Sequence, residues 1–487
     1  MRGRMTLFRS DRGCLAKTWS LDAEGKPTKA TAAQLTEGTF EIREFSSAAE
    51  LAALIGAVTT KEAVSASLPA NGLTEGRVTT RKAQQRQPEA LTRTKRDFGL
   101  PSGPGFVLLD HDAPSGAEGF DRDRLWSVLL SCVPELGGAG AVWFPSGSSH
   151  IRNGPGEVTG IRGQHLYLML RDASDGPRLV HLIAQRLWLA GHGSVQVSKA
   201  GSLLVRSPVD EAVTDPARLI FSGGAECVPP LSQHRGSPVV LQAGGFLDSR
   251  LIPDLSAEEL GRYQALVEQE KAAKAAEAAQ AKAVHRAAAA AEGVPRLMAK
   301  GVAAGEAEQR IGESVDAALS GTLLADFVLT IVHDDGGCER VTVGDVLADR
   351  ARWHESQCLD PLNPDHRGGA ADAMLYLHGT SPAVYSFDDG GRVYRLKGAR
   401  QRIAVSPGRR GELVEALTQS VASLPYLFST STGPVLLDGG RPLPLNVDRL
   451  MNVVGREFAL YRPAAKGDAP ADLTREVAGL VLAALTN

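Results

Sequence analysis

No stretch constrains this chain more than residues 256 to 292, a proline-free run dominated by Ala, Glu, Lys and Gln. Those residues lose little conformational freedom in a helix. Ser256 followed three positions later by Glu259 predicts a capping box, and Gly293 with Pro295 supplies a stop. The expectation is one helix, roughly 50 Å long at 1.5 Å per residue. From Lys271 to Ala291 it carries few large apolar side chains and buries little, while Glu268, Glu270 and Glu277 offset Lys271, Lys274, Lys282 and Arg286. A solvated spacer fits this composition better than a basic helix tracking nucleic acid. The chain on either side must then supply its own cores.

At 487 residues the chain is too long for one ordinary domain. The expected division is an N-terminal α+β part over 1–95, a catalytic core over 96–250, the helix over 256–293 and an accessory region over 320–487. A net charge of −3 does not announce a nucleic-acid binder, so any such surface must be a local patch. Five scattered cysteines with no C-x-x-C pair argue against a disulfide framework and a structural zinc site, and point to a reducing cytoplasm. No apolar run reaches the about 18 residues of a membrane helix, and the first residues lack a signal-peptide core. A soluble, cytoplasmic protein without membrane contact is expected.

Residues 1 to about 75 alternate short strands (5–8 and 38–45) with a helix from Ser46 or Ser47 to Gly56, on which Leu51, Leu54 and Ile55 share a face. From Gly105 to Phe221, strands alternate with helices over 121–136 and 178–191, and 193–197 and 201–206 read as strands. Three polar features stand out here. The apolar run Phe106–Leu109 ends in Asp110, His111 and Asp112. Positions i and i+2 of a strand share a face, so the two acids project together and His111 points away. Two adjacent carboxylates repel, and a divalent cation relieves that. Ser148-Ser149-His150 follows the strand-like Ala141–Phe144, and Asp210 closes the apolar stretch from Ser202.

Asp-x-Asp, Ser-x-His and a hydrophobic residue before Asp, in that order and on strands, resemble the archaeo-eukaryotic primase superfamily. Gly163–Leu170, Arg186–Gly191 and Val209–Phe221 look like the primases of phages and integrated elements. The resemblance implies an α+β fold whose palm is an RRM-like mixed sheet with helices, followed by the long helix and a small α/β C-terminal accessory domain. It implies a DNA-dependent primase or primase-polymerase that joins NTPs or dNTPs on a single-stranded DNA template. Asp110, Asp112 and Asp210 would hold two Mg²⁺ or Mn²⁺ ions. Ser148 and His150 would bind the triphosphate, with Arg152, Lys199 and Arg206 as further phosphate contacts. Of these Arg206 is favoured, being four residues from Asp210 on an extended segment. The Cys/His zinc insertion of many members is missing, so template recognition falls to basic surface and to the C-terminal region.

That basic surface is expected between Arg77 and Arg96, where Arg77, Arg81, Lys82, Arg86, Arg93, Lys95 and Arg96 face only Glu89. Arg77, Arg81, Lys82, Arg93, Lys95 and Arg96 are the candidate DNA contacts; the bland alternative is a solvated connector. Further on, 323–332 and 340–346 read as strands or a strand and a helix start, and Asp389-Gly390 predicts a hairpin turn. The block 360–396 resembles the connector before the motor of phage primase-helicases. Asp360, Asp365 and His366 suggest a second metal site, against which stands simple turn capping. The tail pairs helices at 412–422 and 448–458 with a strand at 434–437, in the manner of a small winged-helix module. No G-x-x-x-x-G-K-[ST] loop occurs, so a replicative helicase would act in trans or be fused downstream. The alternative function is a non-catalytic adaptor with a primase-like fold that recruits a helicase; a third is a metal-dependent nuclease.

Overall fold

The structure is a computed structural model that describes all residues except 32–34, 113–118, 334–336, 366–368, 370, 379–380, 388–390, 399–400, 425, 431–432, 439–440, 464–468 and 487. It is a mixed α+β protein. Two compact units emerge: Met1–Val197 with Leu203–Ala278, and Ser198–Ser202 with Ala279–Asn487. The first 95 residues and the strand bearing Asp110 thus share one unit.

In the first unit β1 (Gly3–Ser10), β2 (Lys17–Leu21), β3 (Glu37–Phe45), α1 (Ala48–Gly56), β4 (Glu62–Ser65) and β5 (Glu75–Thr79) follow in turn. Four of these strands, with Leu91–Thr92 at the edge, form a sheet in the order β4-β1-β3-β5. β2 leaves it and pairs with Pro27–Thr31 and Glu226–Cys227. Ser47 caps α1, accepting from the Glu50 amide, and Leu51 and Ile55 are buried beneath it.

The second sheet carries the acids. Its strands are β6 (Gly105–Asp112), β7 (Gly140–Pro145), β8 (Gly163–Leu170) and β9 (Val239–Ala243), in the order β6-β8-β7-β9. All pairings between them are antiparallel, where a mixed sheet was expected. β6 and β7 run parallel to each other but with β8 inserted between them, so α2 (Arg122–Cys132) makes a crossover over an interposed strand. β8 then leads into α3 (Gly176–Leu189). All eight residues of β8 are buried, because both faces of the sheet are covered. On one face Val107, Leu109, Leu166 and Leu168 pack against Leu125 and Leu129 of α2 and Leu179 and Ile183 of α3. On the other, Phe106, Leu108, Tyr167 and Val142 meet Met5, Phe45 and Leu51. The helix expected over 121–136 ends at Cys132, and a short 3₁₀ turn covers Pro134–Gly138, since Pro134 lacks the amide to continue it.

The long helix departs from expectation at both ends of its second half. It breaks after α4 (Ala257–Ala273) and resumes as α5 (Ala275–Ala299), which runs straight through Gly293 and Pro295. Tertiary packing overrides the local stop: Leu297 is buried against Ala307 and Ile311 of α6 (Ala304–Leu319). A Cβ on Gly293 would lie 2.4 Å from Ile311 Cδ1, so the glycine is an approach point for α6 rather than a cap. The capping box stands, with Ser256 and Glu259 bonded reciprocally. The charges pair as Lys271–Glu268 and Lys274–Glu277, while Lys282 and Arg286 reach Asp316.

The rest of the second unit has two cores. A seven-stranded sheet from Thr322–Leu324 to Cys338–Thr342 surrounds Leu329, Ile331, Leu375, Val384 and Leu396. In the other, Leu413, Leu417, Leu450, Val454 and Val481 unite the helices Arg410–Ala422, Val447–Glu457 and Arg475–Thr486. Strands Ala383–Ser386 and Arg392–Lys397 pair as a hairpin; the Asp389-Gly390 tip lies outside the described residues, as does His366. Asp360 accepts from the amides of Leu362 and Asn363 and from Ser386 Oγ, which is turn capping. Among the described residues no helix is long and apolar enough to cross a membrane.

Candidate active site

Asp110 and Asp112 end β6 on the face shared by Phe106 and Leu108, and His111 turns to the other. There its Nδ1 lies 2.8 Å from the Pro208 carbonyl oxygen and its ring stacks on Phe120. Asp210 arrives from a distant part of the chain by a backbone bond: its amide donates to the Asp110 carbonyl at 2.9 Å. The three acids are thereby brought together. The Asp110 side chain is 20% exposed, Asp210 46%, and Asp112 is open. Burial first, then the charges of Asp112 and Asp210, push the Asp110 carboxyl up to about 8; Arg218 and Lys17 oppose the rise.

Neighbouring strands place further groups beside the acids. The register sets His165 opposite Asp110 and Gly163 opposite Asp112. His165 Nε2 stands 3.6 Å from Asp110 Oδ1, outside hydrogen-bond range, and that oxygen is buried without a hydrogen-bond partner. Burial, with Arg235 and Lys17 nearby, holds the imidazole neutral, its pKa down to about 3. A Cβ on Gly163 would fall 2.4 Å from Asp112 Oδ1 and 2.7 Å from Ser146 Oγ, so the missing side chain is what lets Asp112 lie there. Asp210 is partly engaged, capping a 3₁₀ turn through Oδ1 while Oδ2 is 3.7 Å from Arg218.

The Ser-x-His segment follows β7 and is pinned by its middle residue. Ser149 Oγ donates to the Gly163 carbonyl at 3.0 Å and accepts from the Arg162 amide at 2.9 Å. Ser148 Oγ accepts from Lys17 Nζ, which β2 carries in. His150 adopts a left-handed backbone, φ 56°, and its Nδ1 lies 3.3 Å from Glu157. Such a conformation in a non-glycine residue is uncommon and concentrates at functional loops.

The other predicted phosphate and DNA contacts are spread over several elements. Arg206 ends the Leu203–Arg206 strand opposite Ser194, and the arginine beside Asp210 is Arg218. Lys199 Nζ is 3.0 Å from Asp365, inside the second unit. Arg152 is exposed on Ile151–Asn153, opposite Glu157 and Ser232. The basic run meets acids from other segments, Arg77 pairing with Asp11 and Glu37 and Lys95 with Asp215, while Arg96 pairs with its neighbour Asp97. Arg93 donates to the Ala217 carbonyl, and burial lowers its pKa to about 10. Arg81 is exposed on the short helix Arg81–Gln84; Lys82 shares that helix, and its side chain lies outside the described residues. Lys17, Gly163, His165 and Arg218 are the site residues that sequence reasoning missed. Gly163, His165 and Arg218 lie in stretches that carry the resemblance but had no role assigned there; strand register and a returning loop are what bring the four residues in.

Among the described residues no three His, Cys, Asp or Glu side chains already converge as a cage for an ion. The fit to a cation rests instead on the unpartnered Asp110 oxygen and the two acids that raise its pKa. Comparison with family models, with curated proteins and with solved structures found no match to this chain.

Proposed function

We propose that this chain is a template-directed nucleotidyltransferase of the primase type, its first unit a palm like that of the archaeo-eukaryotic primases. The carrying observation is Asp110: a largely covered carboxylate with a bare oxygen, crowded by Asp112 and Asp210 at an opening to solvent. Such crowding costs stability unless a cation shares it. The interposed-strand order β6-β8-β7 supports an RRM-like palm, with β9 on the β7 edge as a variation.

Asp110, Asp112 and Asp210 would hold Mg²⁺ or Mn²⁺. Two such ions would supply activation of the attacking hydroxyl and neutralisation of the departing pyrophosphate. Lys17 and Ser148, already bonded to each other, would orient the triphosphate of an NTP or dNTP; Arg218 would hold Asp210 against drift. His150 would add a donor at the rim. The single-stranded template would lie across the exposed acids.

The test is incorporation of labelled nucleotides on single-stranded DNA with Mg²⁺ or Mn²⁺. Primer synthesis that vanishes in Asp110→Ala/Asp112→Ala, with the fold intact, is the expected result. Synthesis persisting in that double variant overturns the site. Template degradation would replace this reading by a nuclease, and no reaction at all by an adaptor.

A further inference from the structure

Behind Asp110 a chain of buried polar groups runs into the protein. His165 Nε2 faces Asp110 Oδ1 at 3.6 Å, and Tyr167 OH lies 3.3 Å from His165 Nδ1 and 2.6 Å from Ser222 Oγ. His165, Tyr167 and Ser222 are all buried. The far end is anchored: Arg235 donates to the Ser222 carbonyl at 3.2 Å and to that of Pro145 at 3.0 Å, its guanidinium 4.3 Å from the Phe144 ring centre. Buried polar groups in series are costly unless satisfied, and at this end the buried atom without a hydrogen-bond partner is Asp110 Oδ1.

We propose that His165 is a positioning residue, aiming the Asp110 carboxylate at a divalent cation through its Nε2–H, with Tyr167 and Ser222 holding the ring. This rests on the reading of Asp110 as a cation ligand. The direction of the bonds follows from charge. With a cation bound the Asp110 carboxylate is ionised, and a bare Nε2 opposite it would set lone pair against lone pair, so in that state Nε2 carries the hydrogen. Nδ1 then accepts from Tyr167, which accepts in turn from Ser222. A small turn of the carboxylate closes the 3.6 Å gap. A direct role for Nε2 as a ligand is disfavoured, because Lys17 and Arg235 already set positive charge near the imidazole.

The experiment measures Mn²⁺ binding to the full chain by the electron paramagnetic resonance of free Mn²⁺, alongside circular dichroism. His165→Leu should weaken binding about 10- to 100-fold, the usual effect of losing an outer-shell partner. His165→Gln, whose amide nitrogen reaches the Nε2 position, should stay within about threefold of wild type. That contrast distinguishes a donor from a space-filler. A folded Leu variant binding as wild type overturns the proposal, as does equal loss in Leu and Gln. Tyr167→Phe keeps the ring and covers the case of a Leu variant that does not fold: binding weakened by about threefold or more supports the chain, and unchanged binding overturns it. Asp110→Asn separates the two levels. Wild-type binding there removes the underlying site; lost binding there with unaffected His165 variants removes only the positioning role.

Discussion

Asp110 couples stability to pH in a way that can be measured. Its pKa is raised to about 8 in the folded chain, against about 4 when unfolded. Between those values the native state holds a proton that the unfolded state has released, so stability falls as pH rises from about 4 to about 8. Asp110→Asn removes that cost and should raise the urea midpoint of metal-free protein at pH 8, with little change at pH 4. Urea titrations at both pH values check this. Mn²⁺ competes with the same proton and should stabilise wild type more at pH 8 than at pH 5. At the neighbouring position, Gly163→Ala should weaken Mn²⁺ binding about 10-fold while far-ultraviolet circular dichroism stays native, because the new carbon meets Asp112 before it meets any backbone. Asp110, Asp112 and Asp210 were legible in sequence because strand period and apolar flanks advertise them. Lys17 and Arg218 were not, since a lone cation becomes informative only when a distant strand or loop delivers it. The ion pairs of the basic run were hidden for the complementary reason. Its acids, Asp11, Glu37 and Asp215, lie far away in sequence.

Elements with strong local chemistry were readable: α1 starts at its serine cap, and α3 at 176–189 sits close to the expected 178–191. The helix at 256–292 was readable as helix but not in its ends, because the decisive partner, Ile311, belongs to α6. Gly293→Leu tests that. A leucine is a better helix former than glycine, yet it would drive into Ile311, and chemical denaturation should show the second unit losing about 1–3 kcal/mol. Sheet order was not readable either. Nothing in β6 or β7 states that β8 will lie between them; that follows from both faces needing cover at once.

Each of the two units has cores of its own, so calorimetry of the whole chain should resolve two transitions. Mn²⁺ should raise only the one belonging to the unit with Asp110. The eight-residue register of β6 on β8 carries a last consequence. Its side chains are sorted between two filled compartments like teeth on a rack whose pitch is two residues. Removing one residue between Gly105 and Leu109 would present His111 at the opening and drive both acids into the layer beneath α2 and α3. The chemistry at this end of the strand can be altered by exchanging residues, but not by changing the length of what precedes them.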